Sequence, residues 1–164
     1  MSLSQTKGLD RINRIVQDGS FPKTCESCKS CRINCATVEY EEITRKIIGA
    51  AYAVYKQLGF GFLESVYKKA MFIELAKSGL KAEEEKPLQV HYDGQIVGDF
   101  FVDLFVNDRV VVELKSVRHL SKEHEVQLVN YLKGLHRDIG LLINFGPAGV
   151  DVKRKFREQK VRQD

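Results

Sequence analysis

The chain has 164 residues, of which 43% are hydrophobic and 29% charged, and its formal net charge is +4. This length and composition predict one globular domain with a hydrophobic core. No run of about 18 apolar residues occurs, which excludes a transmembrane helix. The polar beginning MSLSQTKGLDRINRIV lacks the apolar stretch of a secretory signal. We therefore expect a cytoplasmic protein with reduced thiols and no membrane partner.

Composition divides the chain into three parts. Residues 1–38 form a polar N-terminal extension without clear periodicity, and they contain all four cysteines. Residues 39–150 carry the apolar periodicity expected of a folded domain. Residues 151–164 hold six basic and three acidic residues and supply +3 of the net charge. We expect this basic C-terminal tail to be a solvated helix end, and the alternative is that it binds phosphate groups.

Periodicity and chain breakers predict seven elements in the central part. They are, in order, helices at 39–58 and 62–77, strands at 88–92, 95–106 and 109–117, a helix from about 121 to 136, and a strand at 139–145. Turn signals at Asp93-Gly94 and Asn107-Asp108 make the first three strands an antiparallel meander. The next helix allows a crossover to the last strand. The order α-α-β-β-β-α-β predicts an α/β fold with a mixed sheet flanked by helices.

Three charged residues interrupt these apolar strands. Asp103 lies in the second strand, within GDFFVDLFV, and Glu113 and Lys115 lie in the third, within VVVELK. Burying an unpaired charge is costly, so each of these residues needs a partner or a metal ion. Because Glu113 and Lys115 are two residues apart, their side chains face the same side of the strand.

The length of the loop between the second and third strands decides whether the three charges meet. A three-residue loop at 107–109 pairs Val106 with Val110 and places Asp103 opposite Glu113. A two-residue loop would put these two carboxylates on opposite faces, so a functional site requires the longer loop. The other face is then predicted to be uniformly apolar and to include, on the second strand, Phe100, Val102, Leu104 and Val106.

Two carboxylates and an ammonium group on one face suit the hydrolysis of a phosphodiester. The carboxylates of Asp103 and Glu113 are the oxygen ligands that Mg²⁺ and Mn²⁺ prefer. Lys115 can position the attacking water or stabilise the developing negative charge. The alternative interpretation is a buried ion pair without catalysis.

The motifs also resemble those of a known family. Gly61-Phe-Leu-Glu64-Ser-Val-Tyr67 reads as GxxExxY, and it is followed in order by Asp103, Glu113-Leu-Lys115 and Leu141-Leu-Ile-Asn-Phe-Gly146. Over residues 39–146 the chain resembles the GxxExxY protein family, which is placed in the PD-(D/E)xK nuclease superfamily. The resemblance implies the nuclease fold, with a restriction-endonuclease-like core. Together with the carboxylate chemistry of Asp103 and Glu113, we expect Mg²⁺ or Mn²⁺ as cofactor and nucleic acid as substrate. Position 102 is Val where the superfamily motif has Pro.

The resemblance adds further candidate residues on two helices. It implies that Glu64 is a metal ligand or a neighbour of one, although a glutamate in a first helical turn also suits the helix dipole. Tyr67, one turn on, either packs or supports the site. Gln127 and Tyr131 share a helix face, and some exonuclease-type members carry a Gln-x-x-x-Tyr pair that touches nucleic acid or orients the site. The alternative is a helix surface that flanks the core.

The four cysteines predict a second, separate metal site. Cys25, Cys28, Cys31 and Cys35 read C-x₂-C-x₂-C-x₃-C, the spacing of a ferredoxin-type [4Fe–4S] run. The residue after Cys35 is Ala rather than the usual Pro, and four thiolates also suit zinc; an unliganded extension is the third possibility. The sequence thus leaves three functions open: a metal-dependent nuclease, an inactive nucleic-acid-binding or regulatory module, and an iron–sulfur or zinc protein that acts through this segment.

Overall fold

The computed structural model describes residues 32–157, with side chains from Glu39 onward. In chain order it contains helices α1 (Arg32–Leu58) and α2 (Glu64–Lys77), strands β1 (Ala82–Tyr92), β2 (Gln95–Val106) and β3 (Val110–Lys115), helix α3 (Lys122–Gly134), and strands β4 (Ile139–Gly146) and β5 (Gly149–Phe156). The strands form a sheet in the order β1-β2-β3-β4-β5. Only the β3–β4 pair of this sheet is parallel. The predicted α/β fold and the order α-α-β-β-β-α-β are confirmed, and β5 follows them.

Helices α1 and α2 cover one face of the sheet. Their apolar stripes pack into a first hydrophobic cluster, with side chains that include Ile47, Val54, Met71, Leu75, Val112 and Ile143. Helix α1 begins at Arg32 rather than at the predicted Glu39, so the helix crosses the boundary expected after residue 38. No helix among residues 32–157 is both long and apolar enough to cross a membrane.

Helix α3 covers the opposite face. Leu128, Tyr131 and Leu132 pack there in a second hydrophobic cluster with Phe105 and Leu142 of the sheet. The helix carries the chain from β3 to β4, the crossover that a parallel pair of strands requires. With helices on both faces, β4 is buried from Gly140 to Gly146, which explains why its sequence is an uninterrupted apolar run.

The predicted three-residue loop between β2 and β3 is confirmed. Val106 pairs with Val110, and Asn107 and Asp108 adopt left-handed backbone angles with φ of 51° and 55°, a conformation that Asn and Asp tolerate. Asn107 also accepts a hydrogen bond on Oδ1 from the backbone N–H of Lys81, at 2.8 Å. The loop therefore sets the register that the candidate site needs.

The predicted uniform apolar face of β2 is wrong. Leu104 packs in the first cluster, whereas Val102 packs in the second, on the opposite face of the sheet. The change of face coincides with an irregularity in β1, where Glu85 has a φ of 52° and the ladder passes from the pair Glu84–Leu104 to the pair Lys86–Val102. Asp103 lies at this break in the alternation of β2.

The expectation of a helix end after residue 150 is also wrong. Residues 149–156 form β5, which pairs antiparallel with β4. Val150 and Val152 pack against the first cluster, while Lys153 and Lys155 form salt bridges with Glu125 of α3. Two inward valines in a highly charged segment are a weak alternation signal, so composition suggested a tail.

The docking of β5 gives a stability test. Val152→Asp places a carboxylate against the first cluster, and we expect it to lower the free energy of unfolding by about 1–3 kcal/mol. The neighbouring exposed variant Asp151→Ala should change it by less than about 0.5 kcal/mol. Urea denaturation of both variants measures the difference. Equal, negligible effects would mean that the segment behaves as a solvated tail.

Candidate active site

The site forms where β2 and β3 separate. Their antiparallel ladder stops at the pair Leu104–Val112. Beyond it, Asp103 of β2 accepts a hydrogen bond on Oδ2 from the backbone N–H of Leu114, at 2.9 Å. The Asp103 carboxylate is thereby held beside β3, next to the residues on either side of Leu114.

Those two residues form a buried ion pair. Lys115 donates from Nζ to Oε1 of Glu113 at 2.8 Å, and Glu113 is only 3% exposed. The second oxygen of Glu113, Oε2, is buried, and no group within the described part of the chain bonds to it. A buried acceptor without a partner is costly and uncommon in a folded protein. Oε2 of Glu113 is such an acceptor.

Helix α2 brings two more charges to the same place. Oε1 of Glu64 lies 3.9 Å from Nζ of Lys115. One turn further, Nζ of Lys68 lies 3.9 Å from Oδ1 of Asp103 and 2.8 Å from the exposed Glu85. We call Asp103, Glu113, Lys115, Glu64 and Lys68 the ionic cluster. Sequence reasoning missed Lys68, although its position four residues after Glu64 places both side chains on one helix face.

The groups of the ionic cluster shift one another's pKa values. Burial, and then the charge of Asp103, raise the pKa of Glu113 to about 7, despite the hydrogen bond from Lys115. Burial also raises the pKa of Glu64. Burial alone would lower the pKa of Lys115, but its bond to Glu113 and the nearby carboxylates raise it on balance. Lys115 is therefore an ammonium group at neutral pH, while Glu113 shares its environment with excess negative charge.

Tyr67 fixes the loop that precedes α2. Its side chain is fully buried and stacks on Phe145 with a centroid distance of 4.2 Å. The hydroxyl donates to the carbonyl of Gly59 at 2.6 Å and accepts from the N–H of Phe62 at 3.3 Å. The buried Tyr67 ring is not exposed to a ligand, and its hydroxyl holds the backbone just ahead of Glu64.

Asn144 fixes the chain on the other side of the site. It is 2% exposed and pairs in register with Lys115 on the neighbouring strand. Its side-chain amide accepts from the N–H and donates to the carbonyl of Val117, both at 2.9 Å. Ser116 adds a hydrogen bond to the carbonyl of Phe62, at 2.8 Å. Asn144 belongs to the motif Leu141–Gly146, which entered the sequence analysis only through the family resemblance. The sequence feature that could have identified Asn144 is a single amide side chain within an apolar strand.

Gln127 and Tyr131 form a separate pair on α3. Nε2 of Gln127 donates to the Tyr131 hydroxyl at 2.8 Å, and Tyr131 is only 7% exposed. Both residues line a groove between α3 and the β1–β2 hairpin, together with Leu88 and Phe100. The structure thus brings Asp103, Glu113, Lys115 and Glu64 together through salt bridges and hydrogen bonds, and it places this pair on the groove.

The predicted cysteine site cannot be located. Cys25, Cys28 and Cys31 lie outside the described residues, and Cys35 is described only as part of the backbone of α1. Among the described residues, no three His, Cys, Asp or Glu side chains form a preassembled metal centre. Iron–sulfur and zinc binding at the cysteines therefore stay predictions.

The comparison with known families agrees with this geometry. A model of the PD-(D/E)XK nuclease superfamily matches residues 41–156, which include the whole ionic cluster. The chain belongs to the PD-(D/E)XK nuclease superfamily. Its mixed sheet flanked by helices is the restriction-endonuclease-like core that was predicted. The narrower resemblance to GxxExxY proteins stays a prediction.

Curated and solved proteins add little to the superfamily assignment. No curated protein matches the chain. Among solved structures, the chain is similar to the crystal structure of SSO0001, with 16% sequence identity and a TM-score of 0.49. That similarity covers 93% of this chain and 76% of the other.

The raised pKa of Glu113 predicts how the stability of the metal-free protein depends on pH. Folding raises the pKa of this carboxyl from 4.5 to about 7, so between these values the folded state binds more protons than the unfolded state. Stability should therefore fall as pH rises from 4.5 to 7. The contribution of Glu113 to that fall is about 3 kcal/mol.

Denaturation in EDTA between pH 5 and pH 8 measures this effect. Glu113→Gln should flatten the fall, because an amide does not ionise. Glu42→Gln is the matched control, because Glu42 is an exposed carboxylate paired with Lys46 on α1, and this variant should keep the wild-type slope. Parallel profiles for all three proteins would show that Glu113 is not desolvated.

Proposed function

We propose that this chain is a metal-dependent nuclease that hydrolyses phosphodiester bonds in DNA or RNA. The observation that carries the proposal is the second oxygen of Glu113. This buried carboxylate lies beside Asp103; one of its oxygens is paired to Lys115, and the other has no hydrogen-bond partner among residues 39–157. Membership of a nuclease superfamily supports the same reaction class.

The residues present fit Mg²⁺ or Mn²⁺. Mg²⁺ is usually held by one or two carboxylates together with waters and substrate phosphates, so a preassembled centre of three protein ligands is not required. In the ionic cluster three carboxylates face two ammonium groups, which leaves one negative charge in excess when all five are ionised. Asp103 and Glu113 would hold the ion, with Glu64 as a further ligand or a close neighbour.

Each chain residue then has a defined task. The ion, when bound, supplies positive charge to a phosphate oxygen and lowers the pKa of a coordinated water. Lys115 keeps its proton, and its remaining N–H bonds can orient the attacking water or stabilise charge on the phosphate. Asp103 is held through Oδ2 by the Leu114 N–H, at 2.9 Å, so Oδ1, which lies 3.9 Å from Nζ of Lys68, is oriented before any ligand arrives.

A cleavage assay tests the proposal directly. The purified chain is incubated with Mg²⁺ or Mn²⁺ and a panel of single-stranded, duplex and overhang-bearing DNA and RNA. We expect metal-dependent cleavage of at least one substrate. Asp103→Asn and Glu113→Gln should abolish it, because each removes a charged ligand. Lys115→Ala should lower kcat by about 10²–10³-fold, the usual cost of losing one electrostatic group at a reacting phosphate.

Matched controls come from an exposed acid–base pair on α1. Glu42 and Lys46 lie 3.2 Å apart on the surface, and Glu42→Gln and Lys46→Ala should cleave at the wild-type rate. Nucleic-acid binding without cleavage on any substrate would contradict the proposal and leave an inactive binding module. Cleavage that survives in Glu113→Gln would place the reaction elsewhere in the protein.

A further inference from the structure

The loop between α1 and α2 exposes large apolar side chains next to the ionic cluster. Phe60 is 43%, Phe62 47% and Leu63 76% exposed to solvent. Leu63 directly precedes Glu64 at the start of α2. We call Phe60, Phe62 and Leu63 the apolar ridge. Single exposed apolar residues are common, but a group of three beside a charged site is a feature of interaction surfaces.

The ridge is held in place by contacts on both sides. The N–H of Phe62 bonds to the buried Tyr67 hydroxyl at 3.3 Å, and its carbonyl accepts from Ser116 at 2.8 Å. The Phe62 ring meets the Tyr67 ring edge to face, with centroids 6.3 Å apart. Gly61, with a φ of 117°, takes a backbone conformation that glycine alone adopts readily. The ridge is therefore exposed on an anchored backbone.

Leu63 is a poor choice for its position. It is the N-cap residue of α2 and makes no side-chain capping bond, whereas Ser, Thr, Asp and Asn are strongly preferred there. With three quarters of its surface exposed, Leu63 also gains little from burial. Departures from local preference of this kind occur mainly at functional sites.

We propose that the apolar ridge stacks against unpaired nucleobases, so that the enzyme acts on single-stranded segments such as overhangs and flaps. The inference rests on the proposed nuclease function and names its substrate class. Two connections tie the ridge to the site: Leu63 adjoins Glu64, and Phe62 bonds to Ser116, which follows Lys115. A strand whose phosphate lies at the ionic cluster therefore has its neighbouring bases within reach of the ridge.

Unpaired bases suit the ridge better than a duplex does. In a duplex the base faces are already stacked and must be unstacked to reach a protein surface. Unpaired bases offer free faces to aromatic and apolar side chains regardless of sequence. The ionic cluster itself repels phosphates before a cation binds, and the net charge of +4 is modest, so stacking is a needed source of affinity.

The test compares binding to a blunt duplex and to the same duplex with a single-stranded overhang. Fluorescence anisotropy is measured on the full chain in a Glu113→Gln background, so that binding is followed without turnover. Phe62→Ala and Leu63→Ser should each weaken overhang binding about tenfold, the usual scale for one stacked base, and leave blunt-duplex binding within about twofold. Leu63→Ser is informative because serine is a better N-cap, so its folded state should be at least as stable.

A control variant, the melting temperature and a separate cleavage assay distinguish failure of the stacking proposal from failure of the nuclease proposal. Tyr92→Ala removes an aromatic residue that is 76% exposed at the β1–β2 turn, and it should not change either affinity. Unchanged overhang preference in both ridge variants, or an equal loss for both substrates, would overturn the inference. A lower melting temperature in Leu63→Ser without loss of preference would also overturn it, because the ridge would then be covered by the chain itself. Cleavage by wild type, measured separately, shows whether the nuclease proposal stands.

Discussion

The ion pair between Lys115 and Glu113 is the interaction on which the candidate site depends. Lys115 binds Oε1 of the almost completely buried Glu113, and Oε2 has no hydrogen-bond partner among residues 39–157. The surrounding structure keeps that pair in place: the Leu114 N–H holds Asp103, and Asn144 fixes the chain just beyond Lys115. Asp103 lies on β2, the ion pair and Leu114 on β3, and Asn144 on β4, so the site exists only when these strands are paired.

The buried pair of Lys115 and Glu113 contributes little to the stability of the fold. Burying a charged pair recovers little net energy, because desolvation offsets the attraction between the charges. The raised pKa of Glu113 shows that, without a cation, the fold disfavours its ionised form. A protein selected for stability alone would replace such a group with an apolar side chain. Three carboxylates beside two ammonium groups, Lys115 and Lys68, suit the proposed cation-binding role.

The sequence predicted the site through the strand periodicity. Asp103, Glu113 and Lys115 were found because charges interrupt apolar strands, and the three-residue loop followed from the need to bring them together. The change of face at Val102 was not predictable, because it coincides with an irregularity in a neighbouring strand at Glu85. Strand β5 was missed for a related reason. Its inward valines alternate with charged residues, and the pairing of its lysines with Glu125 of α3 is a contact that the sequence alone does not show.

Long-range contacts account for what sequence reasoning left out of the site. Lys68 reaches Asp103 from another element, and Tyr67 acts through backbone groups of Gly59 and Phe62. Spacing along one helix can place Lys68 beside Glu64, but it cannot show which strand that face meets. The GxxExxY pattern therefore identified Glu64 as a candidate, and only the packing showed why the tyrosine is there.

The most direct test of the central claim is the affinity for Mn²⁺, measured by electron paramagnetic resonance of the free ion. We predict one Mn²⁺ site in the wild-type chain once the cysteines are blocked, and a loss of affinity of more than about tenfold in both Asp103→Asn and Glu113→Gln. Lys115→Ala should bind Mn²⁺ at least as tightly as wild type, because it removes a positive charge from the ionic cluster. Wild-type affinity in Glu113→Gln would contradict the proposed metal site, because the carboxylate of Glu113 would then hold no metal.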